Sequence, residues 1–186
     1  MTKSRRMELI RRMGAYIVRG MDIWSAEKRS AVMARIRGRD TKPELIVRSL
    51  LHRAGLRFSL RRKDLPGKPD IVLPKYGAVV FVHGCFWHRH KGCKVATTPK
   101  TRTDFWLAKF AANVARDKRN QRDLKQAGWK VIVLWECQVM RDPFAAVEKV
   151  LKSIRPEAPG LDYDSLPAKR SIIKAAESRL QWSLRS

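Results

Sequence analysis

The stretch AVVFVHGCFWHRHKGC, residues 78–93, decides the fold and raises the question of function. Its first six residues form a nearly continuous apolar run rich in valine, which is typical of a strand buried on both faces. The next ten residues place two cysteines and two histidines around an adjacent Phe–Trp pair. Both residue types bind zinc, and histidine is also a general base at neutral pH. The sequence therefore predicts a buried strand that ends at a metal or catalytic site.

Downstream of this strand, the sequence predicts a crossover to a second strand. Apolar residues recur at helical spacing over residues 103–126, and Gly128 ends the pattern. The run WKVIVLWE, residues 129–136, predicts another buried strand, and DPFAAVEKVLKSI, residues 142–154, predicts a closing helix. A strand, a long helix and a strand make a crossover unit, so the two strands are expected to pair in parallel.

Upstream of the strand, the sequence predicts a hairpin and two helices. IVL at 71–73 and the turn PKYG lead into the central strand as an antiparallel hairpin, and LRFSL at 56–60 predicts a further short strand. TKPE at 41–44 is a capping box that begins a helix ending at Gly55, and Ser25 caps an earlier helix over about 26–37. The expected fold is mixed α/β, with helices flanking a sheet that has antiparallel and parallel parts.

Composition limits the function classes. The 186 residues suffice for one domain, and the net charge of +24 with a pI near 11.0 favours a polyanionic partner, with nucleic acid first. A ribosomal-type binder fits this charge as well. No apolar run is long enough to cross a bilayer, and no secretory signal precedes the three cysteines, so a reducing, cytoplasmic compartment is expected.

Three segments are expected along the chain. Residues 1–21 read as a basic N-terminal arm, or as upstream read-through if Met21 is the natural start. Residues 22–155 form the domain, and residues 156–186 form a C-terminal tail or late helix without an assigned role.

A structural zinc site is predicted from the four ligand-type side chains of Cys85, His90, Cys93 and Cys137. Sulfur and nitrogen ligands suit tetrahedral Zn²⁺. The first three lie on one loop and the fourth follows the strand of residues 129–136, so two adjacent parallel strands would bring both loops to one edge of the sheet. The alternative is that the cysteines are small buried hydrophobic residues.

A catalytic Mg²⁺ site is predicted around Asp70. Hairpin pairing brings Asp70 near the end of the central strand, where the carbonyl of Val82 is a second protein oxygen. His83 ends that strand, and His88 lies in the loop beyond it. A metal-bound carboxylate with a nearby histidine suits phosphodiester hydrolysis. The alternatives are a turn aspartate, a hydrogen-bonded strand-end histidine and an unused neighbour of the zinc.

Further candidates have equally ordinary alternatives. Glu44 is either a capping acid or a functional one, and Asp117 is either a solvated charge or an acid that orients a catalytic imidazole. The aromatic side chains of Phe86, Trp87 and Trp106 can either unstack DNA bases by wedging between them or pack in the core. A loop position favours exposure for Phe86 and Trp87.

Five segments occur in an order that resembles the very-short-patch-repair (Vsr) DNA mismatch endonucleases, within the restriction-endonuclease-like superfamily: LPGKPDIV, FVHGCFWHRH, TRTDFW, NVARDKRN and GWKVIVLWEC. The resemblance covers roughly residues 22–150. It implies a Mg²⁺-dependent enzyme that nicks one strand 5′ of the thymine in a T·G mispair, which repairs deaminated 5-methylcytosine. The sequence departs from the family pattern at Arg89, which interrupts a richer histidine cluster.

The resemblance also implies residue roles. Asp70 and the Val82 carbonyl would bind Mg²⁺, while His88, His83, Asp117 and Glu44 would complete the catalytic groups. Cys85, His90, Cys93 and Cys137 would bind zinc, and Phe86, Trp87 and Trp106 would intercalate beside the mispair. The implied partners are T·G-mismatched duplex DNA and a mismatch-repair matchmaker protein, with the enzyme acting as a monomer. Two alternatives stay open: a restriction-type endonuclease without mismatch selectivity, and a non-catalytic zinc module that binds nucleic acid.

Overall fold

A computed structural model describes residues 38–60, 62–157, 160–162 and 164–182. The predicted basic arm and the helix predicted over 26–37 lie outside these residues. The described chain divides into two compact units. Residues 85–115 make the smaller unit, and residues 38–84 together with 116–182 make the larger one.

The larger unit contains a three-stranded mixed sheet, which confirms the predicted α/β class. Its strands are β1 (Ile71–Leu73), β2 (Ala78–His83) and β3 (Lys130–Trp135), in the order β1-β2-β3. β1 pairs antiparallel with β2, with Ile71 opposite Val80. β2 pairs in parallel with β3, with Phe81 opposite Val133. Both predicted pairings are therefore confirmed, and every residue of the central strand β2 is buried.

Four helices pack on one face of this sheet: α1 (Lys42–Arg53), α3 (Glu136–Arg141), α4 (Pro143–Ile154) and α5 (Lys169–Trp182). Apolar residues at helical spacing in α1 and α4 supply most of their buried contacts, including Ile46, Leu50 and Val147. α5 contributes Ile172 and Ala176 to the same core. The opposite face is covered by Leu124 of the long helix α2 (Thr103–Gln126), which packs on side chains of β1 and β2.

Three features differ from the sequence-based expectations. Residues 56–60 form no strand, because Ser59 pairs with Val72 in an isolated bridge and β1 has only three residues to pair with. β3 is not buried on both faces: Ile132 and Leu134 enter the core, while the alternate side chains lie on the face that α2 covers only in part. The short helix α3 was not predicted.

The smaller unit is a turn-rich loop followed by the first half of α2. Turns follow the end of β2 from residue 85 to 89, and two positive φ angles shape the segment, +55° at Arg89 and +72° at Gly92. Among the described residues, no helix is long and apolar enough to cross a membrane.

Candidate active site and metal centre

Asp70 is held at the end of the β1–β2 hairpin. It precedes β1 directly, and the antiparallel register brings it to the last residues of β2. The backbone N–H of Val82 donates a hydrogen bond of 2.7 Å to Asp70 Oδ2. The prediction that hairpin pairing brings Asp70 to the end of β2 is therefore confirmed, and this anchoring is more than a turn aspartate requires.

The negative charge of Asp70 is poorly compensated. Burial raises the pKa of Asp70 from 3.8 to about 6, although the Val82 N–H acts in the opposite direction. The charge of Glu44 raises the pKa further, and that of Arg48 lowers it. A buried carboxylate that resists ionisation in this way would be stabilised by a bound cation, so its chemistry fits a hard metal ion such as Mg²⁺.

Glu44 serves as a capping acid, and its charge also acts on Asp70. Its carboxylate accepts hydrogen bonds from Thr41 Oγ1 at 2.7 Å and from the Asp40 N–H at 3.0 Å, and the capping box is confirmed. Yet the side chain is only 5% exposed, and its charge acts on Asp70. The two interpretations of Glu44 are therefore compatible.

Sequence reasoning missed the cation that balances Glu44. Arg48 donates from Nη2 to Glu44 at 2.8 Å and from Nη1 to Asp40 at 2.6 Å, and its side chain is 10% exposed. The signal was available, because an acid and an arginine four residues apart in a helix face each other. Arg48 thus pairs with Glu44, the acid whose charge raises the pKa of Asp70.

A second cluster in the larger unit contains His83 and Asp117. Ligand atoms of these two side chains lie within 4.8 Å of each other. His83 is buried at the end of β2, with its ring 5.4 Å from that of Trp135. The side chain of Asp117 is 15% exposed, which favours a role within the site over a solvated charge on α2. His88 lies in the turn of the smaller unit and is partly buried.

Three of the predicted zinc ligands cluster within the smaller unit. Cys85 Sγ lies 3.7 Å from His90 Nδ1, and both are within 4.8 Å of Cys93 Sγ. In a tetrahedral zinc site with bonds of about 2.0–2.3 Å, a sulfur and a nitrogen ligand lie roughly 3.5 Å apart. The three donors therefore fit Zn²⁺ in type and in spacing. The buried-hydrophobe alternative fits Cys85 but not the partly exposed Cys93.

Backbone turns preorganise these three donors. The His90 N–H donates to the Cys85 carbonyl at 3.1 Å, and the Cys93 N–H donates to the His90 carbonyl at 3.2 Å. Cys137 is the second residue of α3, in the larger unit, and none of these three cysteines is joined in a disulfide.

The predicted intercalating residues form an aromatic wedge, a name used here for Phe86, Trp87 and Trp106. The ring of Phe86 lies 5.1 Å from Trp87 and 5.6 Å from Trp106, in edge-to-face contacts, and 5.1 Å from the buried ring of Phe110. The expected exposure of Phe86 and Trp87 is only partial, because these rings pack on each other. A rigid apolar group that stays partly exposed is what insertion between bases requires.

Comparisons with known proteins agree with this chemistry. Residues 21–94 match the family model described as DNA mismatch endonuclease Vsr. The chain is 49% identical over 133 residues to the type II nicking enzyme V.XorIIP of Xanthomonas oryzae pv. oryzae, covering 72% of this chain and 96% of that enzyme. It is 45% identical over 116 residues to the DNA mismatch endonuclease Vsr of Escherichia coli, covering 62% of this chain and 74% of that enzyme.

Proposed function

Because the chain belongs to the Vsr DNA mismatch endonuclease family, and so is a DNA endonuclease, we propose that it nicks one strand of a duplex 5′ of the thymine in a T·G mispair. This would repair the product of 5-methylcytosine deamination. The observation that carries the proposal is Asp70, a partly buried carboxylate that is anchored to β2 and whose charge is poorly compensated. The enzymatic assignment sets aside the alternative of a non-catalytic zinc module.

Asp70 and the carbonyl of Val82 would hold the catalytic Mg²⁺. The Val82 N–H points at Asp70, and the N–H and C=O of one strand residue point toward the same neighbouring strand. This favours a Val82 carbonyl that faces the same site. When bound there, Mg²⁺ would polarise the scissile phosphate and stabilise its developing charge.

The other catalytic groups would handle the proton and the phosphate. His88 would accept the proton of the attacking water, because an imidazole titrates near neutral pH. Asp117 would fix the orientation of an imidazole, and His83 would lie near the scissile phosphate. The ligand-atom distance between His83 and Asp117 supports a shared role. Glu44, which acts electrostatically on Asp70, would be a further functional acid.

Zinc would be structural, with Cys137 as the fourth ligand beside Cys85, His90 and Cys93. A structural zinc site needs four protein ligands, and the three clustered donors leave one place for a further thiolate. The role of the metal would be to link the loop after β2 to the segment after β3.

The DNA interface would combine charge with stacking. The excess of 41 Lys and Arg over 17 Asp and Glu favours phosphate contacts with a strong salt dependence. The aromatic wedge would unstack the mispair. We expect a monomer in the bacterial cytoplasm, associated with the nucleoid and recruited by a mismatch-repair matchmaker protein.

The test is strand nicking of an end-labelled duplex with one T·G mispair, run beside the T·A duplex, with Mg²⁺ or with EDTA. A single Mg²⁺-dependent nick beside the mispaired thymine, absent from T·A, is expected. Cleavage in EDTA would contradict the metal mechanism, and no nick in any of a set of flanking sequences would contradict the activity.

A second candidate function is nicking without mismatch selectivity. Its support is that the names of two similar enzymes mention nicking and no mismatch: V.XorIIP and V.NmeAIP of Neisseria meningitidis, the latter 49% identical over 118 residues. The same experiment separates the two, since equal nicking of T·G and T·A duplexes would support this candidate and contradict the first.

A further inference from the structure

We propose that Arg89 and Asn113 are positioning residues that pre-form the aromatic wedge before DNA binds, and so set how well the enzyme inserts into a mispair. The inference rests on the proposed function, because it concerns the wedge of a mismatch nickase. Neither residue was assigned a role from the sequence, where Arg89 was noted only as an interruption of the histidine cluster.

Arg89 links the turn to Phe110, the buried ring on which the wedge packs. Its guanidinium lies 4.4 Å from the centre of the Phe110 ring, against which Phe86 also packs. Its Nη1 donates to the carbonyl of Thr97 at 2.9 Å, and Nη2 donates to Thr98 Oγ1 at 3.1 Å. One side chain therefore joins the turn, the helix α2 and the segment between them.

The conformation of Arg89 shows that these contacts matter for the turn. Its φ angle is +55°, in the left-handed region that a residue with a Cβ enters only at an energetic cost. The backbone there is held by surrounding contacts, and the guanidinium supplies three of them. The planar fork of arginine suits this role, because it stacks on a ring with its face while donating in its plane.

Asn113 fixes the other side of the wedge. It is buried on α2, at 7% exposure, and its Nδ2 donates to the backbone carbonyl of Trp87 at 3.2 Å. A buried amide that binds the main chain fixes the backbone from which the indole projects. The two residues that flank His88 in the chain are thus both held in place. Asn113 binds the main chain of Trp87, and Arg89 is held by the contacts of its own side chain.

Preorganisation of this kind affects binding more than chemistry. Residues 85–89 form turns without regular secondary structure, so a loosened wedge must be ordered when DNA binds, and that cost lowers affinity. Losing a cation–π contact and two hydrogen bonds corresponds to about a tenfold loss of affinity or more. The KM for the T·G duplex should rise while kcat at saturating DNA changes little.

The experiment compares Arg89→Ala, Arg89→Lys and Asn113→Ala with Lys91→Ala, an exposed cation in the same loop. Each full-length protein is given a T·G duplex with 2-aminopurine beside the mispair, whose fluorescence rises when the base unstacks. KM, kcat, the slope of log affinity against log salt, and zinc content are measured on the same preparations. The expected result is a KM raised about tenfold by Arg89→Ala, less fluorescence at saturating DNA, an unchanged salt slope and full zinc content. The KM and fluorescence of Arg89→Lys should lie between those of the wild type and Arg89→Ala. Lys91→Ala should match the wild type in both.

Three outcomes would overturn the inference. A salt slope reduced by about one in Arg89→Ala but not in Arg89→Lys, with fluorescence unchanged, would make Arg89 a phosphate contact. If zinc content and DNA affinity fell together, Arg89 would instead be a residue that stabilises the loop with the zinc ligands. Unchanged KM and fluorescence would remove the role altogether. Failure of the proposed function can be told apart from failure of this inference. In that case the wild-type protein would not nick the T·G duplex, while 2-aminopurine fluorescence would still report whether the wedge inserts.

Discussion

Asp70→Asn should make the metal-free protein more stable while abolishing nicking. The asparagine oxygen can still accept the Val82 N–H that Asp70 accepts at 2.7 Å. The substitution removes only the negative charge, which burial and the charge of Glu44 both disfavour. A carboxylate that destabilises its own protein is expected where a charge is kept available for a metal ion, which is the role proposed for Asp70.

The size of the effect follows from the pKa of Asp70. It rises from 3.8 to about 6 on folding, so the native state binds this proton more tightly than the unfolded state. The resulting stabilisation is complete below pH 3.8 and is lost as the pH rises through 6. The difference corresponds to about 3 kcal/mol above pH 6, at 1.36 kcal/mol for each pKa unit. For a chain of this size, removing that penalty should raise the Tm by roughly 5–10 °C.

The assay is thermal and urea unfolding in EDTA at pH 7.5 and at pH 4.5. The free energy of unfolding of Asp70→Asn should exceed that of the wild type by up to about 3 kcal/mol at pH 7.5 and by much less at pH 4.5. Mg²⁺ should close the gap by stabilising the wild type alone. The control is Asp64→Asn, an exposed carboxylate whose pKa is lowered to about 2 by its hydrogen bonds with Arg62, where no gain is expected. A destabilised Asp70→Asn, or an equal gain at both pH values, would refute the reasoning.

Three further predictions concern residues that support the site. Cys137→Ser should lose zinc and lower the Tm, and full metal content with an unchanged melting curve would remove Cys137 from the ligand set. Gly67→Ala should destabilise by about 1–3 kcal/mol, because φ is +73° and an added Cβ would lie 2.8 Å from Asn120 Nδ2 and 2.9 Å from Asn120 Cβ. Adding Asn120→Ala removes the amide but keeps that Cβ, so urea unfolding should show only a partial recovery of stability. Arg48→Met should cost about 3–5 kcal/mol at pH 7.5, since it leaves the carboxylates of Glu44 and Asp40 without their cation. Urea unfolding at pH 7.5 measures this loss, and an unchanged free energy of unfolding would contradict the role of the ion pairs.

The elements that the sequence predicted correctly are those that local signals specify. Thr41 and Glu44 define a helix start within four residues, and the valine run of β2 indicates burial without knowledge of its neighbours. The parallel pairing of β2 with β3 followed from the length of the helix between them. In each case the physical cause lies within one continuous segment.

The errors arose where pairing or burial depends on distant residues. The segment at 56–60 has the composition of a strand, but only Ser59 finds a partner in the three-residue β1. The burial of β3 depends on how far α2 covers the sheet, which no pattern within β3 records. Arg89 looked like a departure from a histidine cluster, and only the position of Phe110 reveals its contact.

The placement of charge in the larger unit explains why a metal ion would be needed as well as a basic surface. Lys and Arg exceed Asp and Glu by more than two to one, yet Arg48, the cation whose charge acts on Asp70, pairs with Glu44 and Asp40 and not with Asp70. An arginine paired directly with Asp70 would stabilise the fold, but it would occupy the carboxylate that Mg²⁺ is proposed to bind. A phosphate drawn in by the surface would therefore meet the partly buried carboxylate of Asp70, which repels it. Mg²⁺ between Asp70 and the phosphate would turn that repulsion into attraction. Mg²⁺ should then increase the affinity for DNA, and DNA should increase the affinity for Mg²⁺ by the same factor, as thermodynamic linkage requires.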